Sequence, residues 1–145
     1  DFQIVLSNFN ARWFVKYYGE LEPLLTQYQH KITFIQIPIQ SGSSRILKLM
    51  DRHYTIEDVE AKLLRLRQKA PALPFTTDII AGFPGETLED FELTKAFLSR
   101  IRFRHVDIFA YEKRPGTKAG TLPGDIAPDV INERVLQLAR LQNSL

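Results

Sequence analysis

The sequence predicts an α/β fold assembled from parallel βα units, and two observations predict it. Short apolar runs alternate with amphipathic stretches in the order β-α-β-α-β-α-β-α, the signature of right-handed βαβ crossovers. The apolar runs are nearly continuous, which suits a parallel sheet covered by helices on at least one face. Periodicity leaves two architectures open: a doubly wound sheet, or part of a (β/α) barrel.

The first strand is the apolar run 2–6. A helix over residues 11–28 follows, with Asn10 as its cap. Its apolar positions, among them Trp13, Phe14, Tyr17, Tyr18, Leu21 and Leu25, make one continuous face. The second strand, 32–39, is rich in isoleucine and runs into the turn Gln40-Ser41-Gly42-Ser43. A short helix over 44–50 comes next, and then Thr55-x-x-Asp58 resembles a capping box. The helix behind it lines Val59, Leu63, Leu66 and Ala70 along one side, and Pro71 and Pro74 punctuate its end.

The third strand spans 75–81, before the loop Gly82-Phe83-Pro84-Gly85. Thr87-x-x-Asp90 opens another helix with Phe91, Phe97, Leu98 and Ile101 inward. The fourth strand covers 106–111, and the glycine- and proline-rich stretch 112–128 reads as loop. A last amphipathic helix occupies 129–142, with Ile131, Val135, Leu138 and Leu141 apolar.

Composition narrows the function classes. With 145 residues, 44% of them hydrophobic and 25% charged, the chain has the balance of one soluble globular domain. A formal charge of +2 is too small to argue for nucleic acid by electrostatics alone. Arg100, Arg102, Arg104 and His105 crowd together, and read as a solvated helix end. The absence of cysteine excludes disulfides and thiolate metal sites in this chain. No apolar run is long enough to span a bilayer, so no membrane association is expected and the cytoplasm is the expected compartment. The three histidines are scattered beside polar residues, without metal-ligand spacing, and no nucleophilic triad is legible. No catalytic and no metal-ligating residue is assigned.

The unusual loops all follow strands. Gln40-Ser41-Gly42-Ser43, Gly82-Phe83-Pro84-Gly85-Glu86 and the segment from Glu112 through Arg114 to Thr117 therefore share the carboxyl edge of the sheet, where α/β folds bind ligands. The Ser41-Gly42-Ser43 turn opens a helix, so its N–H groups suit either an anion or plain serine capping. Gly82 and Gly85 allow close approach of backbone to a ligand, or a tight turn at positive φ. Asp78 interrupts an apolar strand and needs a partner: a ligand hydroxyl, an ion pair or a backbone bond. Tyr111 suits stacking on a base or core packing. Arg114 suits an anionic group or a solvated loop.

Three segments resemble the radical S-adenosylmethionine (SAM) methylthiotransferases. Residues 37–50, which include Pro38, Gln40, Ser41, Gly42, Ser43, Leu47 and Met50, match the pattern PxQSGSxxxLxxM. Residues 77–87 match TDIIxGFPGET, and residues 114–119 match RPGTxA. The resemblance runs over residues 6–145. It implies an incomplete TIM-like radical SAM barrel, with 1–145 as one partial barrel domain. The activity implied is the addition of a methylthio group to a tRNA adenosine near the anticodon, through a 5′-deoxyadenosyl radical. A ribosomal-protein methylthiotransferase, another radical SAM enzyme and a non-catalytic nucleotide- or anion-binding βα module are the alternatives. The cofactors implied are SAM and a [4Fe–4S] cluster, and the partner is tRNA. By family position, Gln40, Ser41, Gly42, Ser43, Asp78, Gly82, Phe83, Pro84, Gly85 and Tyr111 line the SAM side, and Arg114 lies toward the substrate. The family's CxxxCxxC loop has no counterpart here. The expectation is thus a chain that starts after that loop, is inactive alone and belongs to an active parent.

Without the first barrel strands, the strand over 2–6 is an open edge and the barrel interior is uncovered. The chain is therefore expected to form a homodimer through that open edge or to be marginally soluble. Light scattering that shows a monomer across a wide concentration range contradicts this.

Overall fold

A computed structural model describes residues 2–145. Four strands, β1 (Ile4–Leu6), β2 (Ile32–Gln36), β3 (Phe75–Ala81) and β4 (His105–Ala110), form one sheet in the order β1-β2-β3-β4. All neighbouring pairs are parallel. The helices are α1 (Ala11–Lys16), α2 (Tyr18–Gln27), α3 (Ser44–Leu49), α4 (Ile56–Lys69), α5 (Leu88–Ile101) and α6 (Pro128–Ser144).

The strand order settles the choice between the two architectures. A doubly wound sheet reverses its order at a switch point. These four strands follow one another without reversal, so right-handed crossovers put every helix on the same side. That is barrel-type winding, here not closed. The faces of β3 confirm it. Phe75, Thr77, Ile79 and Ala81 are buried beneath helices, whereas Thr76, Asp78 and Ile80 are half-buried on the other face. That second face continues through Gln36 on β2 and Asp107 and Phe109 on β4, by strand register.

The core lies between sheet and helices. Phe14, Ile35, Ile37, Leu63, Leu66, Phe75, Phe91 and Phe97 are all fully buried in it. Each such side chain contributes about 1.5–3 kcal/mol by leaving water. Thr77 is equally buried, and its Oγ1 donates to the Ile37 carbonyl at 2.8 Å and accepts from the Ile39 N–H at 3.3 Å. This side chain stitches β2 to β3 where Pro38, which has no N–H, interrupts the ladder.

The predicted elements all form, with three differences, the first being that β2 ends at Gln36, short of the expected 39, because Pro38 interrupts the ladder. The single helix expected over 11–28 is two helices with a break at Tyr17 (φ −103°, ψ 18°). Gly19 and Pro23 lie just beyond the break, and neither favours a helix interior. The loop after β4 contains a 3-10 turn, Ala119–Thr121. At the start of α4 the expected box is half formed: Thr55 Oγ1 accepts from the Asp58 N–H, and the Asp58 carboxylate accepts from the Thr55 hydroxyl. At the start of α5, Thr87 and Asp90 cap each other reciprocally. No described helix is long and apolar enough to cross a membrane.

α6 is anchored by a buried ion pair. Arg134 Nη1 donates to Glu86 Oε2 at 2.6 Å and to the Glu86 carbonyl at 3.1 Å, with its guanidinium 5.4 Å from the Phe91 ring centroid. Burial pushes the Glu86 carboxyl above its ordinary range, and the Gly82 N–H and Arg134 oppose that rise. Truncation of one partner strands the other charge. Arg134→Ala is expected to lose about 3–5 kcal/mol in urea unfolding, and the Arg134→Met, Glu86→Leu double variant to lose less than Arg134→Ala alone.

Candidate functional site

The carboxyl edge of the sheet is built by three loops, and the first depends on a strained residue. Gln40 has φ +79°, a region that residues other than glycine seldom occupy. The surrounding bonds hold it there. Its N–H donates to the Asp78 carbonyl at 2.8 Å, and its own carbonyl accepts from the Ile80 N–H at 2.9 Å. Gln40 is thereby pulled onto the end of β3 with its side chain facing the open side of the sheet.

The next residues turn inward. The Gly42 N–H donates to Thr94 Oγ1 at 2.9 Å, and a Cβ on Gly42 would stand 2.4 Å from the Thr94 Cα. The backbone of α5 rests directly on this glycine. The Ser43 N–H donates to Ser41 Oγ at 3.1 Å, and both serines are buried. Of the two roles open to this turn, the geometry therefore shows capping: the Gly42 and Ser43 N–H groups are engaged within the protein.

Asp90 joins this turn to the next. Its Oδ1 accepts from Ser43 Oγ at 2.6 Å, and its Oδ2 accepts from the Thr87 N–H at 2.9 Å and Thr87 Oγ1 at 2.6 Å. The Arg45 guanidinium pairs with the same carboxylate and reaches the Gly85 carbonyl at 2.5 Å. Burial alone would raise the Asp90 carboxyl, but the bonds from Arg45, Ser43 and Thr87 outweigh it and hold the group well below the usual carboxylate range.

The second loop is shaped by Gly82 (φ +82°) and Gly85 (φ +80°). The Gly82 N–H donates to Glu86 Oε2 at 2.9 Å, and a Cβ there would be 2.5 Å from Ile131 of α6. The Gly85 N–H donates to the Gly124 carbonyl at 2.9 Å, which ties this loop to the third. Phe83 and Tyr111 then meet edge to face, 5.3 Å between centroids. Pro84 and Tyr111 flank a side cavity of about 250 Å³ that ends at Ile131.

These loops frame a cleft of about 670 Å³ lined by Gln40, Asp78, Ile80, Phe83, Tyr111 and Arg114. Ser41, Gly42, Ser43, Gly82 and Gly85 do not line it; they hold its walls. Asp78 Oδ1 accepts from Gln36 Nε2 at 2.8 Å, the partner that its place in an apolar strand required. The Tyr111 hydroxyl is buried and has no hydrogen-bond partner among the described residues, an arrangement that costs about 1–3 kcal/mol unless something bonds to it. Arg114 is exposed at the rim.

A polar recess of about 250 Å³ adjoins the cleft through Gln40 and Asp78, and adds Asn8, Asn10 and Arg52. Sequence reasoning missed Arg52. Its signal is the end of α3, where Asp51 takes φ +59° and the Arg52 N–H returns to the Leu47 carbonyl at 2.9 Å. That reversal turns Arg52 back over the strand ends. Among the described residues no group of histidine and carboxylate side chains could hold a metal ion.

The fold is a segment of βα-barrel with a cleft at its strand ends, the edge at which βα-barrels place their sites. The model of the radical SAM superfamily matches residues 20–98, and the chain belongs to that family. It is 46% identical over 107 residues to a tRNA-2-methylthio-N(6)-dimethylallyladenosine synthase of Caldicellulosiruptor saccharolyticus, with 74% of this chain and 23% of that protein covered. It is 45% identical over 111 residues to the protein of the same name from Aquifex aeolicus, with 77% and 25% covered. The chain thus spans about a quarter of the length of these relatives. In fold it is similar to coproporphyrinogen III oxidase of Escherichia coli, a radical SAM enzyme, with a TM-score of 0.68 and 19% identity over 93% of this chain and 31% of that one.

Stability should track the Asp90 carboxylate. Its folded-state pKa is depressed, so its contribution is present above the unfolded carboxyl's value, about 4, and is lost as pH falls below it. Denaturant midpoints are expected to fall between pH 5 and about pH 2 more steeply in the native chain than in Asp90→Asn, which starts lower at pH 7.

Proposed function

We propose that this chain is the SAM-binding part of the catalytic barrel of a radical SAM methylthiotransferase that acts on a tRNA adenosine near the anticodon. The observation that carries the proposal is the cleft at the strand ends, with Asp78, Phe83 and Tyr111 facing one space. Its volume falls within the roughly 300–1,000 Å³ of small-molecule sites. The names of the relatives supply the reaction and the partner, and the cytoplasm is the compartment proposed with them.

The donor set suits SAM. Asp78 is a carboxylate acceptor for ribose hydroxyls. Phe83 and Tyr111 offer an aromatic wall for adenine, and the unpartnered Tyr111 hydroxyl offers it a hydrogen bond. Arg52 in the adjoining recess matches the carboxylate at the amino-acid end. Gln40 orients between the two spaces. Ser41, Gly42, Ser43, Gly82, Pro84 and Gly85 act as the frame that keeps these groups convergent, and Arg114 at the rim meets the RNA. Bound SAM would supply the 5′-deoxyadenosyl group, and the electron that cleaves it would come from the parent enzyme's cluster. The [4Fe–4S] cluster does not fit the residues of this chain, which has no cysteine. Its ligands come from elsewhere in the parent enzyme, and the 145 residues are inactive alone.

The test is anaerobic reconstitution of a parent enzyme that contains this chain. Release of 5′-deoxyadenosine from SAM, with methylthio transfer to unmodified tRNA, is the expected result. A loaded cluster without SAM cleavage sinks the proposal. Asp78→Ala and Tyr111→Ala are each expected to weaken SAM binding about tenfold in equilibrium dialysis, the loss of roughly one good hydrogen bond.

A further inference from the structure

The short helix α1 and Tyr17, the residue that ends it, carry exposed aromatic and basic side chains that the cleft does not use. Trp13 and Tyr17, one helical turn apart, stack with centroids 5.8 Å apart and planes 26° from parallel. They remain 41% and 42% exposed, which is unusual for large rings with an apolar core on the other side of the same helix at Phe14. The Arg12 guanidinium lies 5.0 Å from the Trp13 centroid, and Lys16 Nζ lies 5.1 Å from both rings. Neither cation has an ion-pair partner among the described residues, and residues 11–17 contain no carboxylate.

The position of this patch also matters. In a βα unit the helix descends from the carboxyl end of its strand, so the start of α1, with Arg12 and Trp13, lies toward the cleft rim and Tyr17 one turn below it. Asn10, which caps α1 by accepting from the Arg12 N–H at 2.9 Å, lines the polar recess beside Asp78.

We infer that Trp13 and Tyr17, flanked by Arg12 and Lys16, form a docking surface for an RNA strand with an unpaired nucleotide next to the cleft mouth. The inference rests on the reading of the parent as a tRNA-modifying enzyme and assigns part of its RNA contact to α1. Flat exposed rings stack on bases regardless of sequence, and unpaired cations neutralise phosphates. Glu20 is the first carboxylate after the patch, one turn beyond Lys16, so the face carrying the two rings is itself cationic. A single-stranded anionic polymer of flat bases matches both features.

Trp13 is the only tryptophan, so its fluorescence in the 145-residue chain reports the patch directly. The probe is an unmodified tRNA anticodon stem-loop, compared with a fully paired RNA duplex. Saturable quenching by the stem-loop, tighter than by the duplex and weakened by salt, is expected. Arg12→Gln with Lys16→Gln should lower the salt slope by about two. Tyr17→Ala should weaken binding at least about fivefold, with the far-ultraviolet circular dichroism unchanged. No quenching at low salt, equal quenching by the duplex, or affinity unaffected by these substitutions overturns the inference. The methylthiotransferase reading fails separately. It fails if the reconstituted parent does not cleave SAM, a reaction that Trp13→Ala should leave untouched in the absence of RNA. Normal SAM cleavage without stem-loop quenching refutes the patch alone.

Discussion

The Asp90 carboxylate is the joint on which the site depends. It sits at the start of α5, yet it bonds to Ser43 at the start of α3 and to Arg45 within it. Two consecutive βα loops are thereby fixed to each other by one buried anion. Charge-assisted bonds of this kind are stronger and shorter than neutral ones. They also compensate the burial of the charge, which would otherwise be prohibitive. Gly42 packed on the Thr94 backbone is the steric half of the same joint.

The frame explains why so many polar residues of the loops do not reach the cleft. Ser41, Gly42, Ser43, Gly82 and Gly85 spend their bonding capacity on neighbouring loops and helices. The groups that face the open side are few: Gln40, Asp78, Phe83 and Tyr111, with Arg52 and Arg114 at the margins. A rigid frame with a small number of convergent groups is how a binding site holds its geometry without a ligand. The Glu86–Arg134 pair extends that frame to α6, so the last helix also supports the second loop.

The strain at Gln40 fits the same logic. A positive φ at a residue with a side chain survives only where its surroundings over-determine it. Here two backbone bonds to β3 and the Pro38 interruption leave no alternative path. The outcome is a side chain placed where regular β2 geometry would not have put it.

Much of the fold was legible in the sequence. Alternating apolar and amphipathic runs located all four strands, and the Thr87 and Asp90 spacing announced the start of α5, because these signals are local and act within one turn of chain. The loops Gln40-Ser41-Gly42-Ser43 and Gly82-Phe83-Pro84-Gly85 could likewise be assigned to one edge from strand polarity alone. Long-range geometry was not legible. The break at Tyr17, the return of Arg52 over the strand ends and the inward turn of Ser41 and Ser43 each depend on partners distant in sequence or on competition between neighbours. Periodicity could not choose between a doubly wound sheet and a barrel, since both share the same βα rhythm. Strand order made that choice, and strand order is a property of how units pack, not of how any unit reads. Thr87 and Asp90 were recognisable as a cap from their spacing. That Asp90 also holds Ser43 and Arg45 was decided only when two helix starts met in space.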